Sequence, residues 1–380
     1  MIKDSFLYLD HNATTPLCDE AILEMEKINR EFWANPSSSH KLGKKAKEML
    51  ENYRETIARL LKVRPDEIIF TSGGTESNNL ALKGLISLRP SEKDHIITTQ
   101  IEHSAVYNPV QFLESKGFIK VTYIKPDKTG IIDPEDIERS ITERTFLVSV
   151  IMANNEIGTI QDTKKIGKIC ERYGIIFHTD AVQALGKIEI DINRDNISLL
   201  SASAHKFNGP KGTGFLFKRR GILLDPLIDG GKQERGLRSG TEALALVAGM
   251  TVSLEKKLFN MKKDSDYLKE LTEKFFKKLK ENIPYVELNG NFEKRVPNTL
   301  NIRFPGISGP KIVSFLDEEN IFVSPSSACH SSSSKPSRIL TSLGLMADEA
   351  FSSVRFSFSP EITEKDIEKI ISVLKKTVVS

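Results

Sequence analysis

Only three cysteines, Cys18, Cys170 and Cys329, occur in 380 residues. That is too sparse and uneven a set for a disulfide framework. Such usage suits a reducing cytoplasm, where a cysteine that matters acts as a thiol. No stretch of about 18 apolar residues is present, so no membrane span is expected. Met1-Ile2-Lys3-Asp4 opens no long apolar run, so no signal peptide is expected either. Charge of one sign is also lacking. The 54 basic and 51 acidic residues leave +3, too balanced to argue for a nucleic-acid or membrane surface. No phosphate motif has P-loop or dinucleotide-binding spacing, which removes the basis for a nucleotide-binding module. No internal repeat is visible.

At 380 residues the chain exceeds one small core, and two domains are expected. Apolar runs at 67–71, 95–99, 120–124, 145–152, 175–179, 198–202 and 213–217 read as strands buried on both faces. Helical patterns lie between most of them. One spans 43–62, with Ala46, Leu50, Tyr53, Ile57, Leu60 and Leu61 near one face. The alternation predicts an α/β fold with a mostly parallel seven-stranded sheet. Near residue 255 the character changes. A charge-dense helix at about 265–282 is followed by a strand at 299–304, a helix at 309–318 and a short strand at 322–324. A Ser-rich loop, a strand at 352–357 and a last helix opened by a Thr363/Asp366 capping box complete a smaller α+β domain.

Candidate chemistry collects where the strand patterns stop. Lys206, in Ser203-Ala204-His205-Lys206, follows a strand and precedes a loop with Gly209, Gly212 and Gly214. A lysine held there can form a Schiff base with a carbonyl cofactor such as pyridoxal phosphate (PLP), or be an ordinary loop lysine. Gly73-Gly74-Thr75 joins a strand to a helix, whose N-terminal N–H groups and Thr75 hydroxyl make a phosphate site. Asp180 can bond a pyridine nitrogen and keep it protonated, or cap the next turn; Gln183 can meet the ring oxygen. His103 can stack on a ring and shuttle protons. Asn155, again just past a strand, can bond cofactor or substrate. Together these lie at successive strand ends, where ligands of open parallel sheets bind.

In that order, the segments resemble the NifS/IscS-like cysteine desulfurases, PLP enzymes of the fold-type I, class-V aminotransferase superfamily. The likeness begins at 8–16, passes through Asn35-Pro36-Ser37-Ser38, 71–79, 154–161, 178–183, 203–206 and 233–242, and closes on Ser327-Ala328-Cys329 and Arg355. It implies a large PLP-binding domain over 16–257. A small domain of 1–15 with 258–380 would carry the catalytic cysteine loop, 324–337. It implies that Lys206 anchors PLP and moves the substrate Cα proton, His103 assists, Asp180 pairs with the ring nitrogen and Gln183 with the ring oxygen. Gly74, Thr75, Ser203 and His205 would hold the phosphate, with Thr241 donated by a second subunit of a homodimer. Asn155, Arg355 and Asn35 would contact the substrate. Arginine suits a carboxylate because its planar fork grips through two bonds.

Cys329 would take sulfur from L-cysteine as a persulfide, release alanine and deliver sulfur to an acceptor protein, for iron–sulfur cluster assembly or tRNA thiolation. No active-site metal is implied, although the persulfide could transiently ligate an iron–sulfur cluster. Eight of the 14 residues in 324–337 are serine and two are proline, so a mobile surface loop is expected. A free thiol is mostly protonated at neutral pH, and His103 or His330 is a candidate to activate it. Two departures stand out. Cys329 is followed by His330, in a string that also resembles selenocysteine lyases, and Asp229-Gly230-Gly231-Lys232 replaces a triple-glycine run. The alternatives are therefore a selenocysteine lyase, another PLP lyase or a non-catalytic PLP-binding scaffold.

Overall fold

Seven strands form one sheet in the order Ile68–Thr71, Gly214–Lys218, Leu199–Ser203, Ile176–Asp180, Thr145–Ser149, His95–Thr99, Lys120–Ile124. In this computed structural model, residues 6–326 and 336–379 are described, with side chains through 376. Cys329, Ser327, Ala328 and His330 lie outside the described residues. Gly214–Lys218 runs antiparallel to both neighbours and the other strand pairs are parallel. The strands at 95–99, 199–203 and 145–149 are buried at every position, which is why they read as apolar or small-residue runs rather than alternations. The parallel arrangement turns the carboxyl ends of Ile68–Thr71, His95–Thr99, Thr145–Ser149, Ile176–Asp180 and Leu199–Ser203 toward one edge.

The helix Lys41–Leu61 buries Ala46, Leu50, Tyr53, Ile57, Ala58 and Leu61 on one face, and His40 Nδ1 caps its start by accepting from Gly43 N. Lys62 stops it in the left-handed region at φ 57°.

Two corrections concern the second half. The helix expected at 265–282 is the end of one helix, Leu244–Asn282. No proline interrupts that stretch, and its buried face passes from Leu244, Val247 and Leu254 in one core to Leu268, Leu271, Phe275 and Leu279 in another. Within it, Gly249 admits Met25 of the helix Asp19–Glu31, because a Cβ there would stand 2.6 Å from Met25 Sδ. The expected strand at 322–324 is two. Ile321–Phe322 pairs in parallel with Leu7–Tyr8, and Ser324–Pro325 pairs antiparallel with Ser353–Ser357. Thr299–Arg303 and Glu287–Asn289 complete that four-stranded antiparallel sheet. The second core includes Leu9 from the chain start, while Ile339, Leu340, Leu343 and Ala350 pack into the first.

Candidate active site

At the carboxyl edge of the large sheet lies a cavity of about 320 Å³. It falls in the size range of small-molecule sites. Ten of the thirteen residues singled out from the sequence line it: Gly74, Thr75, His103, Asn155, Asp180, Gln183, Ser203, His205, Lys206 and Arg355. Cys329 is outside the described residues. Asn35 and Thr241 are exposed and do not line the cavity. Asn35 Oδ1 takes the Ser37 N–H, and the adjoining Pro36 and Ser37 face Glu242 across a separate cleft. Within one chain Asn35 therefore stands apart from the cavity.

Lys206 follows the strand Leu199–Ser203 on a single 3-10 turn, and its Nζ donates to the backbone carbonyls of Asn12 at 2.6 Å and Ala13 at 2.7 Å. Asp180 ends its strand 3% exposed; Oδ2 accepts from Asn78 Nδ2 at 2.7 Å and Oδ1 from Val182 N at 3.0 Å. The helix Gly74–Lys83 starts at the cavity, so its unpaired N–H groups form an anion-favouring end. Gly74 is required there, since a Cβ would come within 2.6 Å of Val182 Cγ2. His205 bonds Thr14 Oγ1 through Nδ1, and burial pushes its pKa down to about 4, leaving it neutral beside Lys206.

His103 caps the helix Ser104–Ser115 by accepting the Ala105 N–H on Nδ1 at 3.1 Å. Burial lowers its pKa, against the opposing pull of Asp180. The neutral ring therefore carries its proton on Nε2 and is set to donate. Taking the thiol proton would require the other tautomer, because the Nδ1 lone pair is engaged in the cap.

Arg355 arrives paired. Nη2 meets Asp10 Oδ1 at 2.7 Å and Nη1 donates to Asn155 O at 3.0 Å, whereas buried Nε has no partner among the described residues. Among the described residues, Asn155 Oδ1 and Asn78 Oδ1 are likewise buried without partners. Such orphans in a polar cavity mark where a bound polar group would complete the bonding. The donor set fits PLP: a helix start and hydroxyls for a phosphate, a carboxylate for a ring nitrogen, an amine for the aldehyde.

Sequence reasoning missed Asn12, Asn78 and the flanking carboxyls. Asn12 Nδ2 donates to Asn155 O and Thr299 Oγ1, tying the Lys206 cradle to the antiparallel sheet. Burial pushes Glu102, beside His103, up to about 8 and Glu156, beside Asn155, up to about 7. Asp229 and Lys232 stand where the resemblance implies glycine. Both are exposed, whereas a Cβ on retained Gly230 would lie 2.9 Å from Ser239 Cβ.

The class-V aminotransferase profile matches residues 7–370. The chain is 42% identical over 372 residues to a protein named cysteine desulfurase IscS from Dictyoglomus turgidum, covering 98% of this chain and 94% of that one. A solved NifS-like protein superposes with TM-score 0.92 at 34% identity, covering 99% of this chain and all of its own. A structure described as SspA in complex with cysteine gives 0.83 at 38% identity, over 94% of this chain and 100% of that one. The chain belongs to the class-V aminotransferase family, within its NifS/IscS-like cysteine desulfurase branch.

Proposed function

We propose that the protein is a PLP-dependent cysteine desulfurase that converts L-cysteine to L-alanine and passes the sulfur on as a Cys329 persulfide. The observation that carries this reading is the meeting of Lys206, Asp180, His103 and the Gly74-Thr75 helix start in one cavity. Relatives named cysteine desulfurase, and a similar fold solved with cysteine, support the choice of substrate.

Bound PLP supplies an electron sink for charge developing at the substrate Cα. Gly74, Thr75, Ser203 and His205 would hold its phosphate, Asp180 its ring nitrogen and Gln183 its ring oxygen. Lys206 anchors it and carries the Cα proton. Arg355 and Asn155 bind the substrate carboxylate, for which Arg355 Nε, without a partner among the described residues, is a reserve donor. His103 holds a proton on Nε2 for delivery at the cavity. The Cys329 thiolate attacks the substrate sulfur; an S–S bond forms as the Cβ–S bond breaks, and alanine leaves.

In a homodimer, Thr241 on its outward loop reaches the neighbouring subunit's phosphate, and the persulfide goes to an iron–sulfur scaffold or a tRNA-thiolating enzyme. The division into 16–257, and 1–15 with 258–380, is supported by Leu9 packing in the second core. Sparse cysteine supports a cytoplasmic setting. No helix among the described residues is long and apolar enough to cross a membrane.

The test is alanine release and persulfide formation by the holoenzyme with L-cysteine. Cys329→Ser keeps the yellow cofactor but loses the persulfide, and Lys206→Ala loses turnover. Unchanged desulfuration by Cys329→Ser sinks the reading. A preference for L-selenocysteine by orders of magnitude points to a selenocysteine lyase instead.

A further inference from the structure

Lys187 has no part in the chemistry above, yet it is 8% exposed at the back of the site. Its Nζ donates to two neutral amides, Gln183 Oε1 at 2.7 Å and Asn12 Oδ1 at 2.9 Å. Burial, and after it the like charges of Lys206, Lys257 and Arg355, holds its pKa well below that of a free lysine. The amine has N–H groups for both acceptors. Gln183 uses its other end on Asn12 O, which Nε2 reaches at 2.9 Å. A backbone carbonyl only accepts, so the Gln183 amide is oriented from both ends: oxygen toward Lys187, NH₂ toward Asn12. The NH₂ group keeps a second N–H, and Gln183 lines the cavity.

We propose that Lys187 is a positioning residue that pins the carbonyl oxygen of Gln183, so that Gln183 presents only an N–H to the oxygen on the cofactor ring. This rests on the reading of Gln183 as the ring-oxygen contact. Without Lys187, Oε1 would be buried with no donor, and the amide would gain from turning toward other partners. A turned amide would set its oxygen against the ring oxygen, two acceptors face to face.

The test is the pH midpoint of the visible absorbance band of the lysine-bound cofactor in the holoenzyme. An N–H bonded to the ring oxygen draws off its negative charge and weakens its hold on the neighbouring imine proton. Losing that bond should raise the midpoint by about one pH unit. Gln183→Leu reports the direct loss. Lys187→Met, which keeps the aliphatic stem but no donor, should shift the band the same way, and Lys187→Met with Gln183→Leu should add nothing further. Lys187→Gln restores an N–H donor without charge and should return the midpoint toward the parent value. A shift in Gln183→Leu with none in Lys187→Met overturns the role of Lys187 and leaves Gln183 intact. No shift in either overturns the Gln183 contact itself. If Lys187→Met does not fold or hold cofactor, Lys187→Gln decides: a midpoint displaced as far as in Gln183→Leu means that charge, not donation, matters, and the proposal fails.

Discussion

Asn78 Nδ2 donates to Asp180 Oδ2 at 2.7 Å while the backbone N–H of Val182 takes Oδ1 of the same carboxylate. Both oxygens are thereby fixed, and the carboxylate plane cannot rotate freely at the cavity wall. A hydrogen bond to a charged group is worth about 1.5–3 kcal/mol. Asn78→Ala should therefore lower kcat about 10- to 100-fold if the orientation of Asp180 serves the reaction. Steady-state alanine release, with circular dichroism to verify folding, checks this; parent-like kcat in a folded variant removes Asn78 from the machinery.

Arg54 and Glu234 form an ion pair whose side chains are each 2% exposed. Arg54 also donates to Ile68 O, and Glu234 accepts the Phe70 N–H, so the pair fastens the 233–242 loop to the edge strand. Deleting one partner leaves a buried charge. Arg54→Met should cost about 3–5 kcal/mol in urea denaturation. Arg54→Met with Glu234→Leu should recover part of that loss. A single variant as stable as the parent would show the pair to be dispensable.

Glu102 and Glu156 give a pH dependence with a defined sign. Their folded pKa values, about 8 and about 7, stand above the ordinary 4.5. Between 4.5 and those values the folded protein holds protons that the unfolded chain has lost, so their contribution to stability falls as pH rises. Four groups oppose this. His178, at about 3, and His11 and His205, at about 4, cost stability as pH falls below 6.5. Lys187, with its lowered pKa, adds stability as pH rises toward 10.5. A difference measurement isolates the carboxyl: the stability of Glu102→Gln relative to the parent should climb by about 1.4 kcal/mol per pH unit from pH 4.5 and level off near 8. Parallel stability–pH curves for the two proteins would contradict the assignment.

Much of the sheet was legible because its strands are buried on both faces. The run at 95–99 coincides with the observed strand His95–Thr99, whereas Lys120–Ile124, found at the expected place, lies at the sheet edge and is buried only at Ile124. Residues that line the cavity were legible as well, since Asp180, Lys206 and Thr75 fall just where apolar patterns stop. Asn12, Asn78 and Lys187 were not. A buried polar residue satisfied by partners elsewhere leaves no periodicity, and those of Asn12 lie 143 to 345 positions away. The full length of Leu244–Asn282 was hidden for a related reason. Its apolar stripe changes the core it serves midway, so a single pattern does not run through it.

The anchoring of Asn12 N to Ser357 Oγ, and of Asp10 to Arg355, bears on biosynthesis. The cradle of Lys206 is built from the start of the chain, and that start is fastened to one of the last strands to be translated. A ribosome-bound chain can form the parallel sheet early, but it cannot seat residues 10–13 until the C-terminal segment has emerged. Seating of the Lys206 cradle therefore waits for the strand Ser353–Ser357.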